Sequence, residues 1–378
     1  MLLSHATAID IVPLQPREVS AFLKFPWQVY AGDPYWVPPL LVERKAFLNA
    51  RKNPFFQHAT VQLFLARQQQ QIVGRIAAVI NDAHNQYHHE QAGFFGLFEC
   101  QNNAEVAAAL LQAVASWVRE RGATFLRGPV NLSTNELDCG ILVEGFDSPP
   151  VFQSAYNPPY YASLIEAAGF IPCKNLLTFF RPYDPPPPPR MQQAMARLQE
   201  RRNITIRTIN MPDLPAEVRR ITAVYNDAWS DNWGFVPITE AESLHMASEL
   251  KLAIMPELTL VAERDGEPIG CFVAIPDLNH IFRHMNGRLT PWGLLRFFYQ
   301  RRRIPIVRVA MLGVKKRYRR LGIDLLLLAE AWKQAPKRGV QGGELGWVLE
   351  DNRLMIQALE ELGTHPYKRY RLYQQDLV

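Results

Sequence analysis

The sequence predicts an α/β protein in which one folding unit is used twice. Three observations carry that expectation. Residues 59–80 and 258–275 each read as strand, turn and strand. Each half later carries a helix-like stretch closed by a glycine, and a run of five prolines lies near the midpoint of the 378 residues.

The first hairpin runs from apolar residues 61–66 through polar residues 68–71 into residues 72–77. The second leads from residues 258–262 to the turn Asp265-Gly266 and returns over residues 268–273. Asp-Gly between two apolar runs is a strong short-range hairpin signal. Each return strand holds a glycine, Gly74 and Gly270, set 196 residues apart. The helix-like stretches 160–168 and 352–362 end at Gly169 and Gly363, set 194 residues apart, and glycine after the last turn is a helix-ending signal. Two landmarks with nearly one period argue for duplication. Between the halves, Asp184, Pro185 to Pro189 and Arg190 read as a stiff spacer. Proline fixes φ and lacks an N–H, so such a tract suits neither a helix interior nor a central strand. The expected division is therefore residues 1–183, a linker at 184–190, and residues 191–378.

The second half continues in a readable order. A helix is expected over 217–229, then the hairpin, then an apolar strand over 306–312. A strongly helical run follows at 324–333, then a strand at 344–349, the helix at 353–362 and a closing strand at 367–377. In the first half, a strand over 94–99 leads to an amphipathic helix over 106–118.

Apolar residues make up 48% and charged residues 20% of the chain, so disorder is excluded as its main state. A net charge of +5 does not point to a dedicated nucleic-acid binder, but it leaves room for a local anion site. The four cysteines, Cys100, Cys139, Cys173 and Cys271, form no C-x-x-C pair, and neither His88-His89 nor His280 with His284 completes a metal set. No metal is expected, and a reducing, cytoplasmic setting is the expected one. The first residues carry no secretory pattern, and no apolar run approaches the roughly 18 residues of a membrane span.

The segment that carries chemistry lies between the strand ending at Leu312 and the helix starting near Asp324. It holds Lys315, Lys316, Arg317, Arg319, Arg320 and Gly322. A loop entering a helix offers unbonded N–H groups and the positive end of the helix dipole. With a glycine for close approach and five basic side chains, the segment suits a pyrophosphate. A solvated basic loop is the plainer reading.

In this setting the chain resembles the GCN5-related N-acetyltransferase superfamily. Its acyl-CoA signature is Arg or Gln, then Gly three residues on, then Gly or Ala. Here Arg319 and Gly322 hold the spacing and Asp324 replaces the last small residue. A second signature is matched by Asn352 and Gly363, with Leu359 where the family often carries the tyrosine that protonates the leaving thiolate. The resemblance implies two tandem acyl-CoA N-acyltransferase domains with mixed, mainly antiparallel sheets flanked by helices. It makes Leu312, Gly313, Val314, Arg319, Arg320, Leu321, Gly322, Ile323, Asp324 and Asn352 the expected contacts of an acyl-CoA cosubstrate. It also implies direct attack of an amine on the thioester, in a gap between two splayed strands. Glu344 and Glu350 are candidate bases, and Tyr367, with Tyr370 and Tyr373 as alternatives, is the candidate acid. The matching connection in the first half, residues 100–105, has neither glycine nor basic residue, so one acyl-CoA site is expected, in the second half.

The first half carries other polar strings: Gly128-Pro129-Val130-Asn131-Leu132-Ser133-Thr134-Asn135, Gly145-Phe146-Asp147-Ser148-Pro149-Pro150, and Tyr156-Asn157-Pro158-Pro159-Tyr160-Tyr161. Long loops of this kind are often functional. Asn131, Asn135, Tyr156, Asn157 and Tyr160 are expected to orient a polar substrate, with an ordered turn network as the alternative. Together with Tyr225 to Trp229 and Asn232-Trp233-Gly234-Phe235, these strings resemble the YghO-like group, classed with the bacterial ceramide synthase-like proteins. That resemblance implies an amine acceptor, a small molecule or a sphingoid-type lipid, and adds Trp229, Asn232 and Trp233 to the substrate-binding candidates. The alternative function is an acyltransferase-like fold that binds CoA or a lipid without turnover.

Residues 291–303 join aromatics to arginines, a composition that suits peripheral contact with an anionic membrane. The expected location is accordingly cytoplasmic, with contact at the inner face of the membrane. Because two units already share one chain, a monomer is expected.

Overall fold

The computed structural model describes residues 8–199, 204–301 and 303–377. Their contacts form two units, Met1–Asn175 with Asn286–Arg288 and Tyr370–Val378, and Leu176–Met285 with Leu289–Arg369. The division falls within a strand at Asn175 and Leu176, rather than at the proline tract expected to link the halves. Residues 183–188 are irregular, and Pro189 opens a helix. Proline is tolerated at a first helical position because the N–H it lacks would be unbonded there anyway.

In the first unit the chain forms β1 (Ile9–Pro13), β2 (Ala59–Gln68), β3 (Gln71–Asn81), β4 (Ala92–Cys100), α1 (Ala104–Arg119), β5 (Phe125–Gly128), β6 (Ile141–Glu144) and α2 (Tyr161–Ala167). Strands β1 to β4 pair antiparallel in sequence order, and β4 pairs parallel with β5. The parallel step requires a crossover, which α1 supplies. Asn103 starts α1 by accepting from the N–H groups of Glu105 and Val106. Val106, Leu110, Val114 and Val118 then give the helix one buried face at helical spacing. Gly74 of β3 permits that packing, since a Cβ there would lie 2.7 Å from Leu110 Cδ1.

The chain then follows β7 (Ile171–Pro182), which runs into the second unit. There it forms α3 (Pro189–Gln199), β8 (Thr205–Thr208), α4 (Leu214–Ala228), α5 (Glu240–Leu250), β9 (Thr259–Arg264), β10 (Glu267–Pro276), α6 (Pro291–Gln300), β11 (Ile306–Val314), α7 (Ile323–Gln334), β12 (Gly342–Leu349), α8 (Arg353–Glu361) and β13 (Pro366–Asp376). Strands β8 to β11 pair antiparallel in sequence order, β11 pairs parallel with β12, and β12 pairs antiparallel with β7. Helix α7 is the crossover and buries Ile323, Leu326, Leu327 and Ala331. Gly270 of β10 lies beneath it, where a Cβ would come within 3.1 Å of Ile323 Cγ2. The two glycines that mark the repeat in the sequence thus do the same job, letting a crossover helix settle on its sheet. The end of β13 returns to the first unit, pairing Tyr373 with Gly128 and Asp376 with Phe125.

Candidate active site

The second unit's sheet opens between β11 and β12. Their parallel register runs from Ile306 opposite Gly342 to Val309 opposite Leu345 and stops, although β11 continues to Val314 and β12 to Leu349. Irregular pairing on both flanks accompanies the parting. Ala310 is the extra residue of β11 against β10, and β12 shifts register against β7 between Leu345 and Val348. A bulge bends and twists its strand. Past Val309, β11 therefore presents backbone to a gap where an extended ligand can pair.

At the far end of β11, the basic loop enters α7 through Gly322, whose φ of +74° favours glycine. Among the described residues, the N–H groups of Arg320, Gly322, Ile323 and Asp324 meet no acceptor. Most of the basic side chains are already engaged. Lys315 Nζ lies 3.0 Å from Glu267 Oε1, and Tyr318 donates to Glu267 Oε2 at 2.9 Å. Arg317 reaches the same carboxylate. Lys315 first, with Tyr318 and Arg317, holds the Glu267 carboxyl down at about 2. Lys316 Nζ pairs with Asp231 at 2.6 Å, and Arg319 Nη2 donates to the Ala228 carbonyl at 2.6 Å. Of the five basic residues read from the sequence as an anion cradle, only Arg320 has no partner among the described residues. The acceptors that occupy the others, the Ala228 carbonyl, Asp231 and Glu267, come from α4, the turn after it and β10, distant in sequence. A second departure concerns Gly322. The close approach there is made by Leu198 of α3, whose Cδ1 would lie 2.6 Å from an added Cβ.

The remaining acyl-CoA candidates divide by environment. Leu312, Val314 and Leu321 pack against the core beneath α7, and Ile323 is buried within it. Gly313 carries the indole of Trp229, since a Cβ there would meet Cζ3 at 2.2 Å. Asp324 is exposed in the first turn of α7, where a negative charge favours the helix. Asn352 caps α8, its Oδ1 accepting from Met355 N–H at 3.3 Å.

Glu344 and Tyr367 are brought together, and with them an arginine that the sequence reading passed over. Glu344 is 0% and Arg308 1% exposed, with Arg308 Nε 3.6 Å from Glu344 Oε1. Tyr367 donates its hydroxyl to Glu344 Oε2. The face is fixed by strand alternation. Val307, Val309, Gly343 and Leu345 line a cavity under α7, so Arg308 and Glu344 point to the opposite face, where α4 packs on β10 and β11. The Tyr367 ring packs near Phe180, centroids 6.0 Å apart, and the Lys368 ammonium lies 5.5 Å from its centroid. A charged residue within the apolar run Ile306 to Met311 was the available signal for Arg308. Glu350 is exposed in the turn after β12, outside this cluster. Tyr373 belongs to the first unit and donates to Glu166 at 2.9 Å, and Tyr370 is buried in that unit too. Leu359, at the position of the family tyrosine, packs with Leu345, Val348 and Leu362.

On the α4 side, Trp229 stacks on Tyr225 with centroids 4.9 Å apart. Asn232 N–H donates to the Trp229 carbonyl at 2.8 Å, which turns the chain directly after the helix and carries Trp233. Asn226 clamps the far end of this segment through both backbone groups of Ile238 at 2.9 and 3.0 Å. Trp229 therefore stands against β11 beyond the point where β12 leaves it.

The first unit differs at the equivalent place. Strands β4 and β5 pair from Ala92 opposite Phe125 to Phe94 opposite Arg127. Beyond that, Val130 N–H donates to the Phe95 carbonyl at 2.7 Å, and Leu97 N–H donates to Asn131 Oδ1 at 2.8 Å. The chain leaving β5 thus fills the opening itself. Tyr161 Oη accepts from Cys100 N–H at 2.9 Å, and Tyr160 donates to the Cys100 carbonyl at 2.9 Å. Asn131 also donates to Asp138 O at 3.1 Å. Asn157 accepts from Leu142 N–H at 2.6 Å and donates to Pro158 O at 2.9 Å. Tyr156 donates to Asp33 Oδ2 at 2.9 Å, and Asn135 N–H donates to Ser133 Oγ at 3.1 Å. Asn131, Tyr156, Asn157 and Tyr160, expected to orient substrate, instead hold the unit's own loops.

Burial pushes the Cys100 and Cys271 thiols up to about 12, so neither is a ready nucleophile. Among the described residues no group of His, Cys, Asp and Glu could hold a metal ion, and no helix is long and apolar enough to cross a membrane.

No family model matches the chain. It is 35% identical over 371 residues to Protein YghO of Escherichia coli (strain K12), across 96% of this chain and 94% of that protein. It is 33% identical over 377 residues to Bacterial ceramide synthase of Caulobacter vibrioides (strain NA1000 / CB15N), across 98% of each. Among solved structures, it aligns with a tandem GNAT protein from the clavulanic acid biosynthesis pathway at a TM-score of 0.58 and 15% identity, across 98% of this chain and 99% of that one. A GCN5-related N-acetyltransferase from Sphaerobacter thermophilus aligns at 0.54 and 16%, across 98% and 96%. At such identities these likenesses show the fold alone, that of the GCN5-related N-acetyltransferases.

Proposed function

Since the chain belongs to the family of Protein YghO and Bacterial ceramide synthase, an acyltransferase family of the GCN5-related N-acetyltransferase fold, we propose that it transfers an acyl group from acyl-CoA to an amine, and that the amine is a long-chain, sphingoid-type lipid. The observation that carries the reading is the parting of β11 and β12 beyond Val309 and Leu345, with the Glu344–Tyr367 pair on the adjoining strand face. The pantetheine arm lies along β11 in the gap, and free N–H groups at the start of α7 meet the pyrophosphate. The amine enters from the α4 side, past Trp229. Its nitrogen attacks the thioester carbon, whose oxygen is polarised by backbone N–H groups. The carbon–sulfur bond breaks, Glu344 takes the proton lost by the amine, directly or through water, and Tyr367 returns a proton to the thiolate. Arg308, 3.6 Å away on the neighbouring strand, holds Glu344 in place.

The test is CoA release from long-chain acyl-CoA on adding sphinganine, with the amide product identified by mass. Release that requires both substrates supports the proposal. Acyl-CoA binding without release would favour the alternative, a binding protein without turnover, which draws support from Leu198 over Gly322 and from Leu359 in the core.

The same reading places the protein at the inner face of the membrane, with α6 in contact. Trp292 is 80%, Leu295 61% and Tyr299 65% exposed, and these positions share one side of the helix. Arg296, Arg301 and Arg303 flank them, while Arg302 lies outside the described residues. Exposed aromatics beside arginines suit an anionic bilayer surface. Replacing Trp292, Leu295 and Tyr299 with serine should abolish sedimentation with phosphatidylglycerol vesicles. Equal sedimentation of both proteins, or none by either, would remove the membrane from the proposal.

A further inference from the structure

The second unit holds a cavity of about 80 Å³ on the α7 side of its sheet, the face opposite the Glu344 carboxylate. Val307, Val309, Gly343 and Leu345 supply the sheet wall, and Leu328 and Trp332 of α7 close it. This lining is almost wholly apolar. The exceptions are Tyr183, half-buried and stacked on Trp332 with centroids 4.9 Å apart, and Arg181 of β7, the one charged side chain, which lines the cavity while only 7% exposed. Its Nη2 donates to the Pro185 carbonyl at 2.6 Å, and its guanidinium lies 5.3 Å from the Trp332 ring centroid. Its Nε is buried with no acceptor. Asp184 offsets part of the charge at a distance, but among the described residues no carboxylate forms an ion pair with it.

A buried donor without a partner is rare in folded proteins, and an arginine without a counter-charge is rarer. An apolar cavity with one such donor asks for a ligand that is apolar along its length and anionic at one end. A lone water is a poor occupant, because a buried water needs about three polar partners and this lining offers few. A guanidinium edge pairs well with a carboxylate. We propose that this cavity binds a single hydrocarbon chain ending in a carboxylate, with the carboxylate accepting from Arg181 Nε and the chain running toward Val309 and Leu345. The volume is about half the roughly 150 Å³ of an engineered cavity that takes benzene, so the enclosed part holds a few carbons and favours chains of medium length. The site uses none of the groups assigned to acyl transfer, and it stands or falls separately from that assignment.

The experiment is calorimetric titration of sodium decanoate into the full chain without CoA. Decyltrimethylammonium, which has the same chain and the opposite charge, serves as control, both below their micelle concentrations. Decanoate should bind and the cation should not. Arg181→Met, which keeps the bulk and removes the donor, should weaken decanoate at least tenfold. Leu328→Phe, which narrows the cavity and leaves Arg181 intact, should weaken it as well. Thermal melts of both variants establish that they are folded. No decanoate binding to the wild type, equal binding to folded Arg181→Met, or equal binding of the cation would overturn the proposal. Loss of CoA release with decanoate binding intact would count against the acyltransferase reading alone.

Discussion

Arg308 and Glu344 are register partners on the parallel pair β11–β12, both shut away from solvent, with Nε and Oε1 3.6 Å apart. That separation makes them an ion pair rather than a direct hydrogen bond, while Tyr367 binds the other carboxylate oxygen. Replacing Glu344 with glutamine keeps the shape and removes the base. It should lower kcat/KM for acyl transfer by about 100-fold or more, the usual scale of general base catalysis. Replacing Arg308 with methionine removes this buried counter-charge and should cost about 3–5 kcal/mol in a denaturant melt. The double variant should recover part of that loss. Full activity in folded Glu344→Gln would remove Glu344 from the mechanism.

Tyr367→Phe separates proton donation from packing. The variant keeps the ring against Phe180 and loses only the hydroxyl. If the hydroxyl protonates the leaving thiolate, kcat should fall by about 100-fold with little change in KM for acyl-CoA. An acyl aryl thioester, whose leaving group needs no proton, should restore most of the rate. An equal loss with both donors would make Tyr367 a positioning residue for Glu344.

Much of the fold was legible because its signals are local. The Asp265-Gly266 turn, the period of α7 and the glycines at 74 and 270 each report a short-range need. The domain boundary was not, because the proline tract shares its local chemistry with a helix start. What assigns β13 to two units is pairing with β5, more than 240 residues away in sequence. The site shows the same split. Glu344 and Tyr367 were readable as residue types on expected strands. The pairing of Glu267 with Lys315 and Arg317, and the cover that Leu198 gives Gly322, depend on tertiary neighbours that no spacing reveals. The polar strings of the first unit stayed open between two readings for a related reason. Asn and Tyr suit substrate binding and loop stapling equally well, and only the partners of Asn131 and Asn157 tell which.

Leu198 makes a testable gate for the second unit. Leu198→Ala clears the space above Gly322 and leaves α7 intact, so acyl-CoA should bind several-fold more tightly in a calorimetric titration. Gly322→Ala should act in the opposite direction. It forces a side chain onto a φ of +74°, at a cost of about 1 kcal/mol or more, and drives a Cβ into Leu198. Unchanged affinity in both variants would place the pyrophosphate elsewhere.

His84 gives the first unit an acid-sensitive point. It is buried beside Phe94 and His88, with Nε2 3.1 Å from Glu90 Oε2, and Arg127 shares that carboxylate. Burial pulls its pKa down to about 4, against the opposing pull of Glu90. The folded protein therefore keeps His84 neutral where an unfolded chain, near 6.5, binds a proton. The unfolded state holds more protons between those values, so stability is intact above about pH 6.5 and falls as the pH drops toward 4. Replacing His84 with glutamine removes the titrating group. Stability of the wild type should fall more steeply than that of the variant between pH 6.5 and 4 in urea melts. Parallel curves would mean that His84 is already charged in the folded protein.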